Sequence, residues 1–170
     1  MKPDTFIFDM DGLLIDSEPL WEEAGAELLR EFDIELTTEQ YQSSTGLRTR
    51  EWITHWFSFF GIDIRFGDDA VDRIVNKAIG KIDSHGVMMP GVSEIFEFLH
   101  ERSFTIGLAT SSPMSLVDVV LNKLGIRPYL HTATSAEDLP YGKPHPEVYL
   151  SCARELNKHP IQCICFEDSF

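Results

Sequence analysis

A chain of 170 residues has room for one α/β core and a small accessory domain, and 43% hydrophobic with 25% charged residues is the content of a folded globular protein, not of a disordered tail. Its 28 acidic residues against 14 basic ones give a formal net charge of −14, which argues against any nucleic-acid or anionic-membrane surface built on a basic footprint. No apolar run has the length of a bilayer span, and the start carries no basic n-region, apolar h-region or cleavage site, so a cytoplasmic protein is expected.

The first apolar run, Phe6-Ile7-Phe8, ends in Asp9 and reads as a buried strand. A helix is expected over 18–32, with Leu20, Ala24 and Leu28 on one face. Thr37 with Gln40 three residues on forms a capping box for a short helix. Ile53, Trp56, Phe57 and Phe60 have helical spacing, with Gly61 as the stop, and Trp52 and Trp56 read as packing residues of that helix. Val71, Ile74, Val75 and Ala78 repeat the spacing. After Met89-Pro90-Gly91 the pattern changes. Val92, Ile95, Phe96 and Leu99 mark a helix, 104–109 a second buried strand, and Ser112-Pro113 the N-cap and first turn of a helix that Gly125 ends. A weaker strand near 129–134, a helix over 146–157 and a last strand over 162–166 complete the series.

Strands alternating with helices of this length predict βαβ units and a parallel sheet. The segment 16–86 is all helix and loop, too long for a connection, and reads as a small all-α cap inserted over the carboxyl ends of the strands. The expected fold class is therefore α/β: a Rossmann-like parallel-sheet core of residues 1–15 and 87–170 with a helical cap of 16–86. Cys163 and Cys165 alternate on the last strand, and with Cys152 they read as buried reduced thiols, not as a metal site with His159.

Four clusters fall at strand ends on one edge of this sheet. Asp9-Met10-Asp11-Gly12 puts two carboxylates on one turn, one to attack or bind a metal and one to move protons. Thr110-Ser111-Ser112 offers hydroxyls and amides to phosphate oxygens. Lys143, between Gly142 and Pro144, is a point charge for phosphate or a carboxylate. Glu167 and Asp168 end an apolar strand and need a cation or solvent, which suits Mg²⁺. A site that binds an anion inside so acidic a chain has to be locally positive, through a metal, a lysine and aimed amides.

Asp9-x-Asp11-Gly12, Thr110, Lys143-Pro144-x-Pro146 and Glu167-Asp168 resemble the four ordered motifs of the haloacid dehalogenase-like hydrolases, and the helical insertion resembles that superfamily's type 1 cap. The stretches 7–18 and 139–150 are most like bacterial hexose- and hexitol-phosphate phosphatases. The resemblance implies a Mg²⁺-dependent phosphomonoester hydrolase of small sugar phosphates. Asp9 would be the nucleophile that becomes an aspartyl-phosphate, and Asp11 the acid and base. Thr110, Ser111, Lys143 and the Met10 segment would hold phosphate. Mg²⁺ would sit among Asp9, the Asp11 carbonyl, Asp168 and Glu167. It also brings Arg48, in Gly46-Leu47-Arg48, towards the sugar or its anionic end.

Asp11 argues against dehalogenation, since dehalogenases of the superfamily lack the second acid. Trp21 stands where β-phosphoglucomutase relatives carry a cap-hinge histidine, and Thr49 where they carry a cap arginine, so water is the expected phosphoryl acceptor. A mutase and an inactive remnant are the alternatives. The sequence stops at Phe170, where relatives continue; the expectation is a core lacking its C-terminal part, with the last strand exposed and stability lowered, and a monomer.

Overall fold

The computed structural model describes residues 2–168, so Ser169 beside the final acidic pair lies outside the described residues. Strand β1 (Thr5–Phe8) is central in a four-stranded parallel sheet. It lies between β4 (Thr105–Thr110) and β6 (Cys163–Phe166), with β5 (Thr132–Ser135) outside β4. Side chains alternate between the two faces as a strand requires. Phe8 joins the larger apolar cluster, with Leu108, Phe96, Val117 and Leu121, while Ile7 joins the smaller one, with Val148 and Cys152. Helices α5 (Val92–Glu101) and α6 (Met114–Leu124) supply the first face and α7 (Glu147–Glu155) the second. A methyl group on Gly107 would lie 2.7 Å from Cys152 Sγ, so glycine lets α7 seat directly on β4.

Between β1 and α5 the chain leaves through β2 (Ile15–Asp16) and returns through β3 (Val87–Met88), which pair antiparallel, Ile15 with Met88 and Asp16 with Val87. Helices α1 (Glu18–Arg30), α2 (Thr38–Gln42), α3 (Thr49–Phe60) and α4 (Gly67–His85) lie between them. The Thr37–Gln40 capping box is formed at the start of α2, and Gly61 ends α3 at φ +71°. In α4, Ala70, Ile74, Ala78 and Ile82 recur every fourth residue and are buried, with Ala24, Leu28 and Leu29 of α1 in the same core. Lys81 bridges Glu27 at 2.8 Å and Glu23 at 3.0 Å across the same two helices. Trp52 and Trp56 are buried, as packing residues should be.

The fold departs from the sequence reading at several points. Arg127–Tyr129 is a turn of 3₁₀ helix, and β5 begins only at Thr132. Pro113, extended at φ −67° and ψ 151°, takes the cap position of α6, so Ser112 is not its N-cap. Of the three thiols only Cys152 is buried; Cys163 is half-buried and Cys165 exposed, because β6 is the edge strand of the described sheet. No helix of the described residues is long and apolar enough to cross a membrane.

Candidate active site

The strand register assembles the site. Phe8 pairs with Leu108 on one side and Phe166 on the other, so Asp9 and Glu167 leave the sheet level with one another, beside Ala109 and one residue short of Thr110 at the end of β4. The Asp9 amide donates to the Phe166 carbonyl at 3.0 Å, which fixes the first acid beside the last pair. Asp9 is 6% exposed. Lys143 reaches in from the loop after β5 and places Nζ 2.6 Å from Asp9 Oδ1 and 2.6 Å from Glu167 Oε1. Tyr149 of α7 donates its hydroxyl to the same Glu167 oxygen. Burial pushes the Asp9 carboxyl up to about 7, against the pull of Lys143, and the Asp11 and Glu167 charges add to the rise.

Asp11 faces the other way. Its Oδ1 accepts from Ser17 Oγ at 2.6 Å and Trp21 Nε1 at 3.2 Å, and its Oδ2 from Ser112 Oγ at 2.7 Å and, at 3.4 Å, from Thr110 Oγ1. Sequence reasoning missed Ser17 and Tyr149, met Trp21 only as the residue at the hinge position, and offered Ser112 to phosphate or to a helix cap, not to Asp11. The one available signal was local: Ser17 and Trp21 follow Asp11 across the β2 exit, within reach of a chain that folds back on itself. Ser111 Oγ is buried with no hydrogen-bond partner among the described residues, an orphan donor on a residue that lines the same cavity as Asp9 and Asp11. Met10 is fully buried in the core, so of this residue only the main chain can face a ligand.

Asp9, Glu167 and Asp168 each bring a carboxylate oxygen within 4.8 Å of the others. Gly12, at φ +74°, lies against Asp168, and a methyl group there would collide with that carboxylate. Partial burial, then the Glu167 and Asp11 charges, raise the Asp168 carboxyl above its ordinary range. Three converging hard oxygens whose charged forms disfavour one another fit a divalent cation such as Mg²⁺.

Asp9, Asp11, Thr110, Lys143 and Asp168 open on a cavity of about 320 Å³ between the core and the helical segment. Asp16, Glu18, Glu22, Tyr41, Thr45 and Trp52 line its upper wall, and Lys143 is the single basic residue among those that line it. Gly46, Leu47 and Thr49 line the cavity too, but Arg48 does not, contrary to the sequence reading. Its guanidinium turns to Glu51 and to the carbonyls of Ala136 and Leu139.

The family model described as haloacid dehalogenase-like hydrolase matches residues 3–170. Hexitol phosphatase B of Escherichia coli (strain K12) is 36% identical over 164 residues, 96% of this chain and 74% of that protein. A phosphorylated carbohydrates phosphatase of Thermotoga maritima is 29% identical, over 98% of this chain and 76% of that protein. In three dimensions the chain is similar to a β-phosphoglucomutase of Clostridium difficile, with a TM-score of 0.89 at 25% identity, over 98% of this chain and 77% of that one.

Proposed function

The chain belongs to the haloacid dehalogenase-like hydrolases and is a phosphatase of that family; from that premise we propose that it hydrolyses small sugar phosphates, hexose or hexitol phosphates, with Mg²⁺ and through phosphorylated Asp9. The observation that carries the reading is one shared cavity in which the buried Asp9 carboxylate meets Lys143, Asp11 and Asp168, with Glu167 joined to them through Lys143. An Asp9 oxygen attacks phosphorus and the bond from phosphorus to the sugar oxygen breaks. Lys143, Thr110 and the orphan Ser111 hydroxyl hold the phosphoryl oxygens as charge moves across them.

Asp11 gives its proton to the leaving alkoxide and then takes one from the water that hydrolyses the aspartyl-phosphate. Ser17, Trp21 and Ser112 aim this carboxyl and keep it apart from the Lys143–Asp9 pair. Asp9, Asp168 and Glu167, with the Asp11 carbonyl, would hold Mg²⁺, which when bound supplies the positive charge that keeps Asp9 ionised and offsets its repulsion from phosphate. Glu167 spends one oxygen on Lys143 and Tyr149.

A mutase would use the same machinery with a sugar hydroxyl as acceptor, and the similarity to a β-phosphoglucomutase keeps that reading as the alternative. Trp21, at the hinge, gives its N–H to Asp11 and offers no base there, and Thr49 adds no cation. The deciding experiment measures phosphate release from a panel of hexose, hexitol and pentose phosphates with Mg²⁺, with chelator, and in Asp9→Asn. Release that needs Mg²⁺ and disappears in Asp9→Asn is expected. Metal-independent release, or faster exchange between sugar monophosphates than release, would overturn the proposal.

A further inference from the structure

Arg48 immediately precedes α3 and is extended, at φ −61° and ψ 147°. Its main-chain N–H donates to Glu51 Oε2 at 3.2 Å, and its guanidinium pairs with Glu51 Oε1. The other guanidinium arm crosses to the core, where Nη1 donates to the Leu139 carbonyl at 2.6 Å and the Ala136 carbonyl at 3.2 Å. The side chain is only 18% exposed, so water competes weakly for these charge-assisted bonds. The receiving loop is itself tied to the sheet: the Ala136 amide donates to the Thr110 carbonyl at 2.8 Å, and the Leu139 amide to the Ala136 carbonyl at 3.1 Å.

A second observation comes from Gly142. A methyl group there would stand 2.8 Å from Arg48 Nε and 3.0 Å from Glu51 Oε2, so the Arg48–Glu51 pair rests on bare backbone. The next residue is Lys143, which holds Asp9. The helical segment thus grips the loop at Ala136 and Leu139 and presses on it at the residue before the catalytic lysine.

We propose that Arg48, braced by Glu51, is a positioning residue: it clamps the start of α3 onto residues 136–142 and so sets Lys143 against Asp9 when the helical segment is seated. Arg48 acts through Lys143 and does not touch the substrate. Displacing a charged group by a fraction of an ångström from the reacting phosphoryl costs rate more than binding, so a loosened clamp lowers kcat. This kinetic consequence rests on the proposed function; the structural consequence does not.

The test compares Arg48→Gln, Arg48→Lys and Gly142→Ala in the full chain with Mg²⁺. Amide hydrogen exchange over 136–143, kcat and KM for a hexitol phosphate, and Tm are measured for each. Arg48→Gln is expected to speed exchange in 136–143 about tenfold and to lower kcat about tenfold with KM nearly unchanged. Arg48→Lys, which keeps one charged donor, recovers part of both. Gly142→Ala reproduces both effects from the core side, and it serves as the test if Arg48→Gln does not fold. Unchanged exchange in 136–143, or a lowered Tm with kcat intact, overturns the clamp. If the parent protein releases no phosphate from any sugar phosphate, the functional reading fails by itself, and the exchange data still decide the clamp.

Discussion

Asp9 is a carboxyl kept in the wrong place for its own charge. With burial lifting it to about 7 from an ordinary value of 3.8, the folded chain binds more protons than the unfolded one across that window. Its contribution to stability is therefore fully present below about 4 and is lost as pH rises through about 7. In metal-free buffer at pH 8, Asp9→Asn is expected to melt at a higher temperature than the parent, and the gap should close at acid pH. Equal melting at pH 8 would mean that Asp9 carries no such load. Asp11, for its part, is a carboxyl oriented by four donors. Its replacement by Asn is expected to lower kcat by about 10²–10⁴, the usual share of a general acid, while Trp21→Phe, which removes one of the four, should lower it only a few-fold. The gathering of the motif acids with Lys143 was legible because each belongs to a short, ordered pattern, the acids just past strand ends and the lysine in the loop after β5. Ser17, Trp21 and Tyr149 were not, since whether an indole or phenol turns to the site depends on packing that no spacing encodes. Ser112 misled because a serine before a proline also satisfies the chemistry of a helix cap.

At the scale of elements, the helices were the most readable part. The capping box of α2 and the glycine after α3 are local signals that the structure follows, and in α4 the helix read from Val71, Ile74, Val75 and Ala78 forms, though only Ile74 and Ala78 of the four are fully buried. The ribbon of β2 and β3 has two residues a strand, too short for any periodicity, and β5 starts late because a 3₁₀ turn consumes the residues before it. Packing of α1 on α4 should carry most of the stability of the helical segment. Leu28→Ala, at a fully buried position, is expected to cost about 2–5 kcal/mol in denaturant melts. Lys81→Ala, which breaks partly exposed ion pairs on the same seam, should cost less than about 1 kcal/mol. The turn after β1 has a different duty. Gly12→Ala would drive a methyl group into Asp168, and the Mg²⁺ concentration for half-maximal activity should rise by about tenfold or more. An unchanged Mg²⁺ titration would remove Asp168 from the proposed metal site.

For the whole molecule, the sequence carried the class of fold and the edge on which the chemistry gathers, because alternation of strand and helix fixes both. It did not carry the destination of Arg48, whose bonds to Ala136 and Leu139 join segments some ninety residues apart in the chain. The overall charge of −14 extends into the cavity, where Asp16, Glu18 and Glu22 face a single lysine. A hexitol monophosphate is therefore expected to react with a kcat/KM at least about tenfold above that of a hexose bisphosphate, whose second anionic group has no cation to meet; equal values would contradict this electrostatic account. The paired exit and return of the helical segment, Ile15 beside Met88 and Asp16 beside Val87, has one more consequence. Both seams of the insert lie side by side, so the segment can be cut out and the stump closed with a short turn, or exchanged for a foreign bundle grafted through the same two rungs. Leaving groups could then be reassigned by cassette, provided that the graft keeps the donors Ser17 and Trp21 that aim Asp11 and the Arg48 contact to the core loop.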